Sequence, residues 1–401
     1  MNRLLSLLLA AICAMAAYHF TLQKGFVNPY PVVCDLVAKK IFLDDEQIRK
    51  WKRTCHRRSR LVTPYSPKKL VIKDINNVLG LLNVSHLEVY DSSDVKSIWR
   101  GESLETGIES EFVDSELVIF RVHPQSPAEQ LGLKKGDVIK SINGEQPNPW
   151  EAQTLSGTYL IERGREEKTY KVKAAAIVRS ESVRFEKIKE ASALVQVPSF
   201  RATFFQDQEM QELGNKLQGV RRLVVDLRGN IGGNFVAGLR FLSLLMCSPE
   251  EVGRLVRPRF EKKISAELPN DLRDEEQLQI LDQHREVILK TFKSGSCYQG
   301  DIRVLVDGKT ASVAEMVAQA LKEFRRAPLM GSPSRGQLLV GVWYPLNEVG
   351  PGVEISIPEA LYLSRRQHRI EGLGVELDKV LYYNLSEMQA GIDSWVKKAL
   401  D

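Results

Sequence analysis

The sequence of 401 residues has few of the features that mark a specialised class of protein. It contains only five cysteines, none of them in the Cys-x-x-Cys spacing of a zinc site, and no internal repeats or low-complexity tracts. Lys and Arg outnumber Asp and Glu by only 56 to 51, an excess far below that of a dedicated nucleic-acid-binding protein. Hydrophobic residues make up 43% and charged residues 27%, as in ordinary globular proteins. The length therefore suits two or three globular domains of about 150 residues each.

The N-terminus has the pattern of a secretory signal peptide. Arg3 precedes a largely apolar run from Leu4 to Ala17 that ends in small residues. This run is shorter than the ~20 residues that cross a bilayer as a helix. We expect residues 1–17 to be a cleaved leader and the mature protein to be exported to the periplasm or the cell exterior. An uncleaved membrane anchor is the alternative, so membrane association stays open.

Removal of the leader would leave four cysteines. They are Cys34, Cys55, Cys247 and Cys297. An even number in an exported chain permits Cys34–Cys55 and Cys247–Cys297 disulfides. Four buried thiols are the alternative.

The region from residue 25 to 104 is predicted to be mainly helical and includes a strongly basic stretch. Seven of the twelve residues of Arg49–Arg60 are Lys or Arg. Such a stretch could contact anionic lipid or cell wall, although a solvated helix face is the simpler interpretation. Residues 74–90 are predicted to form a helix followed by a short strand.

Strand–turn–helix units after residue 190 indicate an α/β core. Strands are predicted at 193–197, 223–227, 302–306, 338–342 and 353–357, and helices at 207–217, 235–246 and 313–324. Asp271–Phe292 is predicted to be one long polar helix.

Residues 126–145 read SPAEQLGLKKGDVIKSINGE and resemble the second half of a PDZ domain. Their physical pattern agrees, since Gly136-Asp137 leads into an apolar strand and Asn143-Gly144 suits a tight hairpin turn. Residues 168–178 are expected to close this block as another strand. The resemblance implies a PDZ domain over residues 105–178.

The peptide-binding loop of this PDZ domain is expected just upstream. Thr106, Gly107, Ile108 and Glu109 occupy the position of the loop that holds a peptide's terminal carboxylate, with an edge strand beside it for strand addition. Glu109 departs from the small or apolar residue usual there, and its charge would oppose a bound carboxylate.

Two further stretches resemble the S41 serine peptidases, which include the tail-specific (C-terminal processing) proteases. Residues 224–234 read VVDLRGNIGGN, and residues 310–337 begin TASVAEM and contain Ser312 and Glu315 in a Ser-x-x-Glu pattern. The resemblance implies an α/β (α+β) multidomain protein. Its ClpP/crotonase-like S41 core would span 179–401, with the PDZ domain inserted and the N-terminal helical region, 25–104, before it.

The same stretches suit acyl transfer. Ser312 would open a helix after a buried strand, where the N–H of Val313 points toward a carbonyl that Ser312 attacks. The flexible backbone of Gly232 and Gly233 could bring a second donor to the same oxygen, which completes an oxyanion hole. An isolated serine at a helix start could equally be a capping residue.

The usual base of tail-specific proteases is absent from its expected position. These enzymes use a lysine 25 residues after the serine, and that position is Gln337. A glutamine amide accepts no proton near neutral pH. The enzyme is therefore either inactive or uses another base.

A replacement base is available. Residues 81–90, LLNVSHLEVY, resemble the Ser-His block of the tricorn-type branch of the family, and residues 368–378, HRIEGLGVELD, its glutamate block. The resemblance implies a tetrad of Ser85, His86, Ser312 and Glu371. In it, His86 accepts the proton of Ser312, while Glu371 orients the imidazole directly or through Ser85. His368 is a rival base, and His86 alone could be an ordinary packed or surface histidine.

The expected function is that of an exported serine endopeptidase. Its PDZ domain would recruit or gate polypeptide substrates, and recognition by their C-termini is one way in which it could do so. No metal, cofactor or nucleic acid is called for, and the oligomeric state stays open. The alternatives are a catalytically inactive PDZ scaffold that has lost the lysine, and an envelope adaptor acting through Arg49–Arg60.

Overall fold

The computed structural model describes most of the chain. The described residues are 13–15, 17, 19, 26–179, 181–189, 191–261 and 264–401. The expected leader, residues 1–17, lies almost entirely outside them. Within these ranges no helix combines the length and the apolar character that a bilayer crossing needs.

The chain divides into two compact units. The first contains residues 1–95 and 340–360, and the second contains residues 96–339 and 361–401. Up to residue 105 the elements are α1 (Pro29–Lys40), α2 (Asp45–Arg58), α3 (Lys68–Leu79), β1 (Glu88–Tyr90), α4 (Ser92–Arg100) and β2 (Glu102–Glu105).

The helices of the first unit are held by buried side chains and a disulfide. Cys34 of α1 and Cys55 of α2 are bonded, with their Cα atoms 5.8 Å apart. Trp51 of α2 is buried and donates from Nε1 to the carbonyl of Val78, 2.8 Å away. Most of the basic residues of Arg49–Arg60 remain exposed, so α2 has one packed and one solvated face.

Residues 340–360 contribute the strands of the first unit. β17 (Leu339–Pro345) pairs with β18 (Glu354–Ser364). β1 pairs antiparallel with the start of β18, so that Glu88 lies opposite Ser356. This pairing fixes the turn that precedes β1.

The PDZ part of the second unit is a five-stranded sheet of order β3-β4-β5-β6-β7. Its elements are β3 (Ile108–Val113), β4 (Glu116–Val122), α5 (Pro127–Gln130), β5 (Val138–Ile142), α6 (Pro149–Thr154), β6 (Gly157–Arg163), β7 (Glu166–Val172) and β8 (Ala175–Val178). The prediction of a single strand at 168–178 is wrong. Strand β7 ends at Val172, and the following strand, β8, pairs with β2 instead.

The peptidase part is built on a largely parallel sheet of order β19-β16-β15-β11-β10-β9, in which only β9 runs antiparallel to its neighbour. Its elements to residue 245 are β9 (Arg184–Lys189), β10 (Ser192–Gln196), α7 (Asp207–Lys216), β11 (Arg222–Asp226) and α8 (Phe235–Leu245). The later ones are β15 (Asp301–Val306), α10 (Val313–Arg325), β16 (Leu329–Gly331), β19 (Lys379–Val380), α11 (Leu385–Gln389) and α12 (Ser394–Leu400). The α/β core predicted from the sequence is confirmed.

The long helix predicted at Asp271–Phe292 is wrong. The segment forms a short helix, α9 (Asp274–Gln283), followed by a strand, β14 (Glu286–Lys290). Val287 and Leu289 are fully buried at alternate positions, and β14 pairs with β12 (Glu251–Val256) and β13 (Ser265–Glu267). Two alternating buried residues thus favour the strand over the polar helix pattern.

The second expected disulfide is also present. Cys247, just after α8, is bonded to Cys297 in the loop before β15, with Cα atoms 4.8 Å apart. Both pairings permitted by the sequence therefore form.

Candidate active site

Ser312 lies where strand β15 passes into helix α10. It is the residue before the first helical residue and has φ 57° and ψ −127°. Non-glycine residues seldom adopt positive φ, and such strain is often found at functional positions. The side chain of Ser312 is partly exposed. A nucleophile on such a turn can be reached by a substrate.

The glycine turn before helix α8 lies against Ser312. A Cβ atom at Gly232 would be only 2.6 Å from Cβ of Ser312 and 3.0 Å from the backbone nitrogen of Val313. Gly232 and Gly233 have φ of 101° and 143°. Only glycine permits both this conformation and this approach. The structure therefore brings Ser312, Gly232 and Val313 together.

The N–H groups of Gly232 and Val313 differ in their availability. The N–H of Gly232 donates to Oδ1 of Asn230, 2.8 Å away. A carbonyl bound at Ser312 would have to compete with Asn230 for it. The N–H of Val313 is in the first turn of α10, where intrahelical acceptors are absent. Val313 is thus a better placed oxyanion donor than Gly232.

Residue Phe200 fixes the glycine turn from the other side. Its N–H donates to the carbonyl of Gly232, and its own carbonyl accepts from Asn234, both at 2.9 Å. A Cβ atom at Gly233 would lie 2.5 Å from that carbonyl oxygen. Phe200 was not predicted as a site residue, because it contributes only backbone groups and no sequence signal marks it.

The carboxylate of Glu315 organises the backbone around Ser312. It is fully buried and accepts from the backbone N–H groups of Ser312, Gly336 and Gln337 and from Oγ of Ser334, at 2.6 to 3.0 Å. Burial raises the pKa of Glu315, although these donors oppose the rise. The Ser-x-x-Glu spacing therefore ties Ser312 to the distant loop of residues 334–337.

That loop contains Gln337, the position of the usual lysine. The carbonyl of Gln337 accepts from the N–H of Ser312 at 3.1 Å. The next N–H, that of Leu338, donates to Oε2 of Glu371 at 3.0 Å, and Glu371 is buried. Within the second unit, Ser312, Gln337 and Glu371 are thus linked through the backbone of residues 337–338.

Ser85 and His86 belong to the first unit. His86 has φ 57° in the turn before β1, and both side chains are partly exposed. A Cβ atom at Gly341 of β17 would lie 3.2 Å from Cβ of His86. A glycine there leaves room for the imidazole. The rival base His368, in the second unit, has Nε2 3.0 Å from the carbonyl of Gly374.

The PDZ loop is tightly constrained. Gly107 has φ 86°, and a Cβ atom there would lie 2.1 Å from Cβ of Ser126. The N–H of Ile108 donates to Oγ1 of Thr106 at 3.2 Å. The Ile108 side chain is fully buried in the PDZ core.

Glu109 is paired inside the PDZ domain. Its Oε1 lies 2.7 Å from Nε2 of His123 and 3.6 Å from Nη1 of Arg121. Burial alone would raise the pKa of Glu109, but the interaction with His123 and the charge of Arg121 outweigh it and hold the pKa well below its usual range. The charge of Glu109 is therefore balanced by its neighbours, which weakens the repulsion expected toward a peptide carboxylate.

Comparisons with known proteins agree with these features. The peptidase family S41 model matches residues 191–381, and a PDZ domain model matches residues 118–157. A carboxy-terminal-processing protease of Bartonella bacilliformis is 25% identical over 361 residues, 84% of this chain and 75% of that protein. A protein of Staphylococcus saprophyticus named "Probable CtpA-like serine protease" is 24% identical over 294 residues, 70% of this chain. The match spans only 53% of that relative's length.

The fold is shared with a solved structure. The photosystem II D1 C-terminal processing protease matches with a TM-score of 0.54, covering 88% of this chain and 92% of that chain at 18% identity. Residues 191–381 belong to peptidase family S41, a family of serine peptidases, and the chain also carries a PDZ domain.

Proposed function

We propose that the protein is an exported serine endopeptidase that cleaves polypeptide substrates. The observation that carries this proposal is the position of Ser312, whose side chain lies against Gly232 at the N-terminus of α10. Acyl transfer requires a positioned nucleophile with N–H donors beside it. The buried carboxylate of Glu315 holds the backbone of Ser312 in place.

The proposed reaction has two steps. Oγ of Ser312 attacks the peptide carbonyl as its proton passes to His86, and the N–H groups of Val313 and Gly233 stabilise the oxyanion. His86 then gives the proton to the leaving amine, and a water molecule activated by His86 hydrolyses the acyl-enzyme. Glu371, with Ser85, would orient the imidazole. The assignment of His86, Ser85 and Glu371 rests on their sequence motifs.

The PDZ domain would bind an extended segment of the substrate along β3. This strand is at the edge of its sheet, with α6 beside it. An edge strand and a constrained glycine loop are the elements of strand addition. Because His123 and Arg121 balance the charge of Glu109, the loop could still bind the C-terminal carboxylate of a substrate.

Cleavage of an unfolded protein such as casein, followed by mass spectrometry of the products, tests the activity. The wild type should give discrete peptides, and Ser312→Ala and His86→Ala should each remove this activity. Gln337→Ala should keep a measurable part, because the amide has no role as a base. Absence of cleavage by the wild type, with Ser312 also inert to fluorophosphonates, would instead support an inactive PDZ scaffold.

A further inference from the structure

Two large apolar side chains are exposed, one in the glycine turn that contacts Ser312 and one in a turn that is linked to Ser312 through residues 336–337. Ile231, in the glycine turn, is 50% exposed, and Leu373, in the turn after Glu371, is 73% exposed. Both turns belong to the second unit.

Ile231 is held beside the nucleophile by both of its neighbours. The carbonyl of Asn230 accepts from the N–H of Ala311 at 2.9 Å, and Gly232 lies against the Ser312 side chain. The side-chain amide of Asn230 is itself fixed, since Nδ2 donates to the carbonyl of Val197 at 2.7 Å. The position of Ile231 is therefore set by the same bonds that set the oxyanion turn.

Leu373 is placed through the loop that contains Gln337. Its N–H donates to the carbonyl of Ile370 at 2.9 Å, and a Cβ atom at Gly336 would lie 3.3 Å from the same nitrogen. Gly336 directly precedes Gln337, whose carbonyl accepts from Ser312. Leu373 therefore lies next to Gly336, and the following residue, Gln337, is hydrogen-bonded to Ser312.

Covering exposed apolar side chains of this size with an apolar part of a ligand contributes favourable free energy to binding. The N–H groups of Gly232 and Leu373 and the carbonyls of Asn230 and Ile370 are engaged in hydrogen bonds. Ile231 and Leu373 themselves offer exposed apolar side chains to a ligand. A polypeptide whose carbonyl reaches Ser312 comes close to the glycine turn, because Gly232 lies against the Ser312 side chain.

We propose that Ile231 and Leu373 are specificity-determining residues that contact apolar side chains of the substrate next to the bond that is cut. The inference rests on the proposed function and names its substrate class: unfolded polypeptide segments with apolar residues flanking the cleaved bond.

The test compares two C-terminally amidated peptides derived from a mapped casein cleavage site. They differ only in having leucine or asparagine beside the cut bond, and amidation removes the carboxylate that the PDZ loop would hold. The wild type should favour the leucine peptide in kcat/KM by about 10- to 100-fold. Ile231→Ala and Leu373→Ala should each reduce this ratio by about 3- to 10-fold. Leu104→Ala, which truncates a leucine that is 67% exposed in β2, is the matched control and should leave the ratio unchanged.

Two further measurements separate the inference from the proposed function. The rate of fluorophosphonate labelling of Ser312, which needs no substrate side chain, should stay within about threefold of wild type in both variants, a range smaller than a single removed contact produces. In a Ser312→Ala background, fluorescence anisotropy should show weaker binding of the leucine peptide after Ile231→Ala or Leu373→Ala, whether or not the wild type is active.

Unchanged discrimination and unchanged peptide binding in both variants would overturn the inference. So would an equal loss of labelling and of cleavage of both peptides, because that pattern indicates a distorted turn. If the wild type neither cleaves nor labels, the proposed function fails and no cleavage site can be mapped. Leucine and asparagine versions of an unstructured casein segment then replace the two peptides in the anisotropy comparison, which alone decides the inference.

Discussion

Ser312 and Glu315 are the residues on which the candidate site depends most. The positive φ of Ser312 places its side chain against Gly232, and the buried carboxylate of Glu315 bonds the N–H of Ser312. A strained residue persists only when its surroundings hold it. Glu315 provides that hold, because its two oxygens accept from four donors on two segments of the chain.

Replacement of Glu315 by Gln should damage both stability and reactivity. One oxygen becomes an NH₂ group that faces N–H donors, and hydrogen bonds to charged groups contribute about 1.5–3 kcal/mol each. We expect the free energy of unfolding, measured in urea, to fall by about 2–4 kcal/mol. Labelling of Ser312 should slow by about 10- to 100-fold, as when a reacting group moves by about 1 Å.

The control is Glu376→Gln, which alters a carboxylate that is 80% exposed. It should leave both measurements near wild type. Normal labelling of Glu315→Gln would show that the carboxylate does not position the nucleophile.

The sequence predicts the main residues of this site but not their hydrogen bonds. Ser312, Gly232 and Val313 come together as their motifs imply. The bond from Gly232 to Asn230 depends on a side-chain rotamer, and the role of Phe200 depends on backbone alone. Neither leaves a pattern in the order of residues.

Helices α8 and α10 carry the glycine turn and Ser312 at their N-termini and pack against each other. Their contact is close at Gly238, where a Cβ atom would lie 2.6 Å from Cγ1 of Val313 and 3.0 Å from Cε of Met316. At the far end of α10, the guanidinium of Arg325 donates to the carbonyls of Leu245 and Tyr298. The helix pair therefore fixes the spacing between Ser312 and the glycine turn.

Gly238→Ala should disturb this spacing. The added methyl group cannot fit without a shift, and overpacking of a core costs about 1–3 kcal/mol. We expect a lower urea midpoint and slower labelling of Ser312. Gly80→Ala is the matched control, since Gly80 has helical φ and nothing within 4 Å of the new Cβ, and it should be neutral or slightly stabilising. A Gly238→Ala variant as stable and reactive as wild type would mean that α8 moves freely against α10.

Among the secondary-structure elements, the sequence predicts single helices well but predicts poorly a segment that contains both a helix and a strand. The helix that starts after Ser312 was expected because a buried strand, a capping serine and an apolar helical pattern agree. The prediction of one helix over Asp271–Phe292 failed because only His284 and Arg285 separate α9 from β14. With no Gly or Pro between them, the change of period has no local marker.

In the second unit, the PDZ domain packs against the C-terminal segment of the peptidase. Val113, Val118, Val138 and Met388 form one buried cluster, and Phe120 packs edge-on against Tyr383. Lys135 pairs with Asp393 at 2.8 Å. Asp393 in turn pairs with Arg228 of the Asp-x-Arg motif at 2.9 Å. The motif arginine therefore supports the domain interface as well as its own turn.

Asp393→Asn should weaken this interface in a pH-dependent way. Burial opposes ionisation, but Arg228 and Lys135 outweigh it and hold the pKa of Asp393 well below its usual range. A depressed pKa means that the carboxylate stabilises the fold above its ordinary pKa of about 3.9 and loses this contribution as the pH falls toward the folded value. The wild type should exceed the variant by about 1–3 kcal/mol at pH 7, and the difference should shrink below pH ~4.

Urea unfolding between pH 7 and pH 3.5 measures this difference. Asp207→Asn removes a partner of Arg240 that is 93% exposed and should change little at any pH. A difference that grows on acidification would contradict the assignment of Asp393 as an ionised partner.

The domain composition was predictable from the sequence, whereas this packing was not. The PDZ stretch and the S41 stretches are recognisable by their motifs. Asp393 and Met388 lie more than 150 residues from Arg228 and in a segment without a motif. Contacts between such distant segments form only in the folded chain.

The central claim is that Ser312 is a nucleophile activated by His86. Its most direct test is the rate constant for modification of Ser312 by a fluorophosphonate, followed by intact mass, in wild type, His86→Ala and His368→Ala. The claim predicts that this rate constant falls by about 10²- to 10⁴-fold in His86→Ala, which is the usual contribution of a general base. In His368→Ala it should stay near the wild-type value. An unchanged rate in His86→Ala, or a loss confined to His368→Ala, would contradict it.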